Sequence, residues 1–358
     1  MRVYVDHTHL WHHVTGLERI TLQLFSRNAL APLDVVPITA SGMRNMVLAQ
    51  TFGLPAHLAS SPSSLLLCPG FPPTPLLQAF ASRVIPYIHD VFLISRRADL
   101  NWRAKLYSAW PFSLAVRRLP RFFVNSGDTA TKLREFCRED AEITFYRPVI
   151  PNNFKLSVGN RATRAGGPVG PRLVALGTVE PRKNLRAAAA ILGALREQGY
   201  PDATLEVIGR RGWGDDWDAL SATPGVILHG FQPDNDVTAI LDRADILICT
   251  SHEEGLGLPL LEAQYAGLPV VAPDQPVFRE VLDWSGVFAD TRDPRSAAGA
   301  IAGLVSGEDW RAAYVGLAEG NLRRWNDQAA ADHSNVIDLL MRLGRSSRDA
   351  ADQTRMAG

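Results

Sequence analysis

Short β-rich runs alternate with helical periodicity twice along this chain, and a Gly/Pro-rich break separates the two series. That alternation restricts the fold more than any other feature. In the first series Arg2–Asp6, Val35–Ile38, Leu65–Cys68, Val84–Ile88 and Phe122–Asn125 are apolar runs bounded by Pro, Gly or polar residues. Between them, Leu17, Ile20, Leu24 and Phe25 recur at helical spacing within Leu17–Leu30, and Ser126-Gly127-Asp128 opens a helix running to Phe136. Uninterrupted apolar strands alternating with helices predict a parallel sheet covered on both faces. Residues 151–171 break the pattern with Pro151-Asn152-Asn153, Gly159, Gly166-Gly167-Pro168 and Gly170-Pro171, the composition of a linker.

The second series has strands at Leu173–Leu176, Leu205–Ile208, Val226–Leu228, Ile246–Cys249 and Val270–Ala272, with helices at Leu185–Gln198, Asp234–Arg243 and Leu258–Ala266. After about residue 290 the chain reads as helix to Leu343, then as a polar tail. The expectation is two Rossmann-like, doubly wound α/β domains, 1–160 and 171–320. A C-terminal helix, 321–344, packs back towards the first domain, and a tail, 345–358, frays. Sheets of this kind bind ligands at the carboxyl ends of their strands, here predicted to face a shared cleft.

Composition sets the outer limits. The 358 residues are 46% hydrophobic and 21% charged, enough apolar material for two cores and unlike a disordered chain or a disulfide scaffold. Cys68, Cys137 and Cys249 are odd in number and widely spaced, which fits reduced thiols and gives no metal-site spacing. No run approaches the roughly 18 apolar residues of a membrane span, and Met1 leads directly into a strand, so a cytoplasmic protein is expected, at the inner face of a membrane if its substrate lies there. Net charge is zero, yet residues 1–170 hold 19 Lys+Arg against 10 Asp+Glu, and residues 171–358 hold 18 against 27. The two halves are built to meet different partners.

Ser251-His252-Glu253-Glu254-Gly255-Leu256-Gly257-Leu258-Pro259-Leu260-Leu261-Glu262 follows an apolar strand and opens a helix. Gly255 and Gly257 allow bare backbone to approach a ligand, Pro259 suits a first helical turn, and backbone N–H groups around 256–259 favour a phosphate. Glu254 and Glu262 bracket that anion site. Carboxylates there accept hydroxyl hydrogen bonds, from a sugar at one end of a diphosphate and a ribose at the other. Arg182-Lys183 opens another helix; two cations oppose its dipole, so a bound anion accounts for them better than solvent does.

The segment Glu254-Gly-Leu-Gly-Leu-Pro-Leu-Leu-Glu262-Ala resembles the signature of family-4 (group 1) retaining glycosyltransferases. Ala266–Ala272, Phe278-Arg279-Glu280-Val281, Gly177-Thr178-Val179-Glu180-Pro181-Arg182-Lys183-Asn184, Leu205–Gly209 and His229-Gly230-Phe231 match in order and spacing, over about 170–290. The resemblance implies a GT-B fold and a nucleotide-sugar donor. It also implies roles: Lys183 and Arg182 on the diphosphate, Glu254 on the donor sugar, Gly255, Leu256, Gly257 and Leu258 lending backbone, Glu262 on the ribose and Gly230 beside the base. It implies no metal and no other cofactor. Gly-Thr-Val-Glu-Pro-Arg-Lys-Asn is most similar to mannosyltransferase members, pointing to GDP-mannose with a UDP-sugar as the alternative. The chain departs from the family at Thr178, where an arginine is usual; Arg182 is the substitute charge.

The first half resembles the family less. Thr15-Gly16-Leu17-Glu18 is similar to its glycine loop, with Gly16 either approaching the donor or simply starting a helix. His89-Asp90 falls where the family often carries such a pair, so His89 is expected to position a hydroxyl or relay a proton. His7, His9, His12 and His13 follow the first strand; His7 and His9, two apart, have the spacing of a metal-dependent hydrolase, but the other ligands of such a site do not show themselves on later strands. Arg96, Arg97, Trp102, Arg103, Lys105, Tyr107, Trp110, Phe112, Arg117 and Arg118 mix basic and aromatic residues. Peripheral contact with anionic lipid is one reading; amphipathic helices packing inward is the other. Balanced charge and the lack of a motif argue against nucleic acid. The acceptor is read as a polysaccharide or lipid-linked glycan. The rival functions are a nucleotide-sugar epimerase on the same fold and a non-catalytic nucleotide-sugar-binding scaffold.

Overall fold

The computed structural model describes residues 2–10, 16–95, 105–159, 161 and 170–356. The chain divides into two compact units. Unit 1 is Met1–Val149 with Gln328–Gly358, and unit 2 is Ile150–Asp327.

Unit 1 holds a parallel six-stranded sheet of β1 (Arg2–Asp6), β2 (Asp34–Ile38), β3 (Leu65–Cys68), β4 (Val84–Ile88), β5 (Arg121–Val124) and β6 (Glu142–Phe145), in the order β2-β1-β3-β4-β5-β6. Unit 2 holds a second, of β7 (Arg172–Leu176), β8 (Thr204–Ile208), β9 (Val226–Gly230), β10 (Ile246–Ile248), β11 (Val270–Pro273) and β12 (Gly286–Ala289), in the order β12-β11-β10-β7-β8-β9. The alternation of side chains along each strand feeds two faces. In unit 2, Val174, Ile208, Leu247, Val270 and Ala272 join one buried cluster, while Leu173, Ala175, Leu205, Val207, Ile246, Ile248 and Val271 join another. Both faces are apolar because both are covered, which is why these strands read as continuous hydrophobic runs.

Strand order reverses between β1 and β3 in unit 1 and between β7 and β10 in unit 2. At such a switch point the two flanking loops diverge and leave room for a ligand outside the carboxyl ends.

Several boundaries differ from the sequence reading. The stretch from Ile150 belongs to unit 2 rather than to a free linker: Ile150 and Leu156 are buried in its core, Asn326 Oδ1 accepts from Ile150 N at 2.8 Å, and Tyr265 donates to Ile150 O at 2.6 Å. Two edge strands, β6 and β12, escaped the pattern; their half-exposed residues lack the apolar runs of central strands. The last helix runs Trp310–Met356, so the segment expected as a separate helix (321–344) and the tail expected to fray from 345 are, as far as Met356, continuous with it. Its residues to Asp327 count with unit 2 and those from Gln328 with unit 1. Among the described residues no helix is long and apolar enough to cross a membrane.

Candidate active site

The loops after β7 and β10 flank the switch point of unit 2, and they carry Arg182, Lys183 and Glu254. The loop after β7 ends in a 3₁₀ turn, Pro181–Lys183, closed by Asn184 in the left-handed region (φ 50°, ψ 41°) before the helix Leu185–Glu197. Asparagine tolerates that conformation better than most residues. The loop after β10 reaches back to it: Thr250 Oγ1 donates to Asn184 O at 2.8 Å, and His252 N to Arg182 O at 2.9 Å.

These contacts bring the charged side chains together. Lys183 Nζ donates to Glu254 Oε1 at 2.5 Å, Arg182 Nη1 to Glu254 Oε2 at 3.2 Å, and Ser251 Oγ to Glu254 Oε1 at 2.7 Å. Arg182 also donates to Glu180 Oε1 at 3.0 Å. Two cations and two carboxylates therefore balance. Glu254 is buried. Burial alone would push its carboxyl up, but Lys183 and Arg182 outweigh burial and hold it below the ordinary carboxylate range. Arg182 is likewise pulled two ways, lowered by burial and raised more by Glu254 and Glu180. The buried Cys249 thiol is pushed up by desolvation and by Glu254, which makes it unreactive.

The loop after β8 is zipped onto the β7 loop. Val179 N donates to Arg210 O at 2.9 Å, Gly212 N to Val179 O at 3.0 Å, and Val179 and Arg211 form a parallel bridge. A Cβ on Gly209 would lie 1.8 Å from the Gly177 carbonyl oxygen, so this close approach requires glycine.

The remaining unit 2 positions divide. Gly257 caps the helix Leu258–Gln264 with φ +75°, a conformation that favours glycine. That helix is only 7 residues long and Pro259 has no N–H, so its dipole is modest and the charge work rests on Lys183 and Arg182. The Leu256 side chain is buried in the core and Leu258 packs against it, with Gly255 half-buried before them. Glu262 is buried and accepts from Asn153 Nδ2 at 3.3 Å. Gly230 has φ +71°, which its glycine allows at the β8–β9 irregularity, and a Cβ added there would meet no protein atom within 4 Å.

In unit 1, Gly16 starts the helix Gly16–Phe25, and a Cβ there would meet no protein atom within 4 Å. His89 follows β4. Its Nε2 lies 2.7 Å from Pro69 O and so donates, fixing the tautomer with Nδ1 as acceptor. Burial lowers its pKa to about 4, so the imidazole is neutral near pH 7. The switch point between β1 and β3 brings His9 against Gly70, where an added Cβ would lie 2.4 Å from the ring, and within 3.2 Å of Thr21 Oγ1. Among the described residues no three or more His, Cys, Asp or Glu side chains gather as a metal site. His12, His13, Arg96, Arg97, Trp102 and Arg103 lie outside the described residues. Of the rest of that basic-aromatic stretch, the helix Trp110–Arg118 buries Phe112 and exposes Trp110, Arg117 and Arg118.

The sequence reading assigned no role to Ser251, Glu180 or Asn153. Ser251 and Glu180 stood inside the recognised segments. Asn153 lies 109 residues from Glu262, and no local pattern announces that contact.

Comparison with known proteins fits this geometry. Residues 170–307 match the family described as Glycosyl transferases group 1. The chain is 33% identical over 175 residues to the O-antigen chain mannosyltransferase B of Escherichia coli, 46% of this chain and 45% of that protein. It is 29% identical over 187 residues to the phosphatidyl-myo-inositol mannosyltransferase of Mycolicibacterium smegmatis, 50% of this chain and 46% of that one. The chain thus spans about half the length of these curated relatives. Among solved structures, the sucrose-phosphate synthase of Thermosynechococcus elongatus superposes with a TM-score of 0.71 at 13% identity, covering 96% of this chain and 99% of that one. Anabaena HepE, in complex with UDP and glucose, superposes with a TM-score of 0.63 at 16% identity, covering 94% and 100%. At such identities these neighbours speak for the fold. The chain therefore has the GT-B fold, and its residues 170–307 form a group 1 glycosyltransferase domain.

Proposed function

We propose that this protein is a retaining glycosyltransferase that needs no metal and moves a sugar from a nucleotide-sugar to a polysaccharide or lipid-linked glycan. One observation carries the reading: at the switch point of unit 2, a buried Glu254 is held by Lys183, Arg182 and Ser251. With Glu180 the cluster balances two cations against two carboxylates. A donor exchanges its partners, with the diphosphate drawing Lys183 and Arg182 and the sugar hydroxyls replacing them on Glu254. The cations then stabilise the charge that develops on the leaving diphosphate, work that a divalent ion does elsewhere. Glu262 holds the ribose.

A carboxylate held below its usual pKa is a weak nucleophile, so Glu254 suits sugar binding better than covalent attack. Retention then follows a front-face path. The acceptor oxygen forms its bond to the anomeric carbon on the face the diphosphate leaves, and a leaving phosphate oxygen takes the acceptor's proton. The neutral His89 accepts a hydrogen bond from a substrate hydroxyl. GDP-mannose is the favoured donor, supported by relatives named as mannosyltransferases.

The test is thermal stabilisation by GDP, UDP, ADP, dTDP and their sugars, with and without magnesium. A ligand at a hundredfold excess over its Kd adds about 2.7 kcal/mol. The expected result is a shift with guanine nucleotides, independent of magnesium and lost in Glu262→Ala and Lys183→Ala. A shift with uracil nucleotides alone would replace the donor. No shift with any nucleotide would end the donor-site reading.

A further inference from the structure

A second feature of unit 1 has no part in donor binding. A cavity of ≈ 310 Å³ opens at the carboxyl edge of the first sheet, beside the β1/β3 switch point. Its walls are apolar, with Phe71, Leu93, Phe112 and Val116 among them. The polar side chains among the described lining are largely committed to the protein. Tyr87 donates to Tyr146 O at 3.1 Å, His89 to Pro69 O at 2.7 Å, and Asp90 accepts from Phe92 N at 3.0 Å. A sugar or a nucleobase buried here would leave several hydrogen-bonding groups without partners, a costly outcome. A hydrocarbon chain would not. At roughly 30 Å³ per water-sized group, the space holds a chain of about ten carbons. Asp90 lines the same end and Glu18 acts on His89, so the rim suits a neutral, hydroxyl-bearing head group rather than an anionic one.

We propose that this cavity takes the alkyl chain of an amphiphilic acceptor, with the head group at the His89 end. That the amphiphile is the acceptor rests on the transferase reading above; the chain-binding site does not. It narrows the acceptor class to molecules that carry a hydrocarbon tail.

The experiment is calorimetric titration of the full chain with n-alkyl maltosides from methyl to dodecyl, each below its critical micelle concentration. Kd should fall about fourfold per added methylene and level off near ten carbons. In Ala115→Leu, which fills a lining position, the plateau should come earlier by a few carbons. The plateau in the unaltered protein keeps the test usable should that variant fold poorly. Absence of binding overturns the proposal, as does an affinity that keeps rising through dodecyl, which would indicate surface adsorption. A plateau that stays put in a well-folded Ala115→Leu overturns it too. Nucleotide stabilisation without alkyl binding removes the cavity proposal alone. Alkyl binding without nucleotide stabilisation removes the transferase reading and leaves the cavity.

Discussion

Glu254 sits among charges that decide its state more than its burial does. Its carboxyl is depressed in the folded chain, so its stabilising contribution is complete above the unfolded value of about 4.3 and is lost as pH falls through the lower folded value. Urea unfolding between pH 3 and 7 should show this as an acid limb that flattens in Glu254→Gln; an unchanged limb would place the ion pairs elsewhere. His89 has the same sign for a different reason. Burial depresses it to about 4, so its contribution is present above roughly 6.5 and lost between there and pH 4. In a proton–carbon NMR titration of the ring signals, His89 should titrate near pH 4. A midpoint near 6.5 would mean that burial does not hold the ring neutral, and that a protonated fraction able to donate persists near pH 7.

At the scale of elements, the loops beyond β7 and β8 act as one piece. Gly209→Ala forces a Cβ onto the Gly177 carbonyl, and backbone cannot move aside as a side-chain tip can. The expected cost is on the order of 3 kcal/mol, read as a fall in melting temperature together with loss of nucleotide stabilisation. Gly16→Ala is the contrast: with open space around it, it should melt at or slightly above the parent, since alanine favours a helix by about 0.5–1 kcal/mol. Central strands were legible because both their faces are covered, so β1, β3 and β4 appear as unbroken apolar runs. The Ser126 cap was legible because it is local, its Oγ accepting from Thr129 N at 3.1 Å. The pairing of Glu254 with Lys183 was not. The two motifs were visible separately, 71 residues apart, and each was given to a ligand, since no local rule says that two loops after different strands meet. The His9–Gly70 contact was hidden for the same reason. The helices between β2 and β3 went unread because Gly42, Gly53 and Pro55 interrupt their periodicity.

Across the whole molecule, unit 1 is assembled from two distant stretches of sequence. Within it, Arg147 Nη1 donates to Asp332 at 2.7 Å, both side chains mostly buried, and Tyr146 meets His333 at 3.4 Å between its hydroxyl and Nδ1. Asp332→Ala removes a carboxylate from a buried arginine and should cost about 3–5 kcal/mol. In a melt that resolves the units, the unit 1 transition should fall while nucleotides still raise that of unit 2. A fall in the unit 2 transition instead would contradict the division. The same arrangement sets an order of events on the ribosome. Domains fold as units as the chain emerges, usually the N-terminal one first. Here unit 2 has its full complement once Asp327 is out, while unit 1, whose strands were synthesised earliest, still waits for Gln328 onward. The first part of the protein to be made is therefore the last to close, and a nascent chain stalled near its end carries a finished unit 2 and an unfinished unit 1.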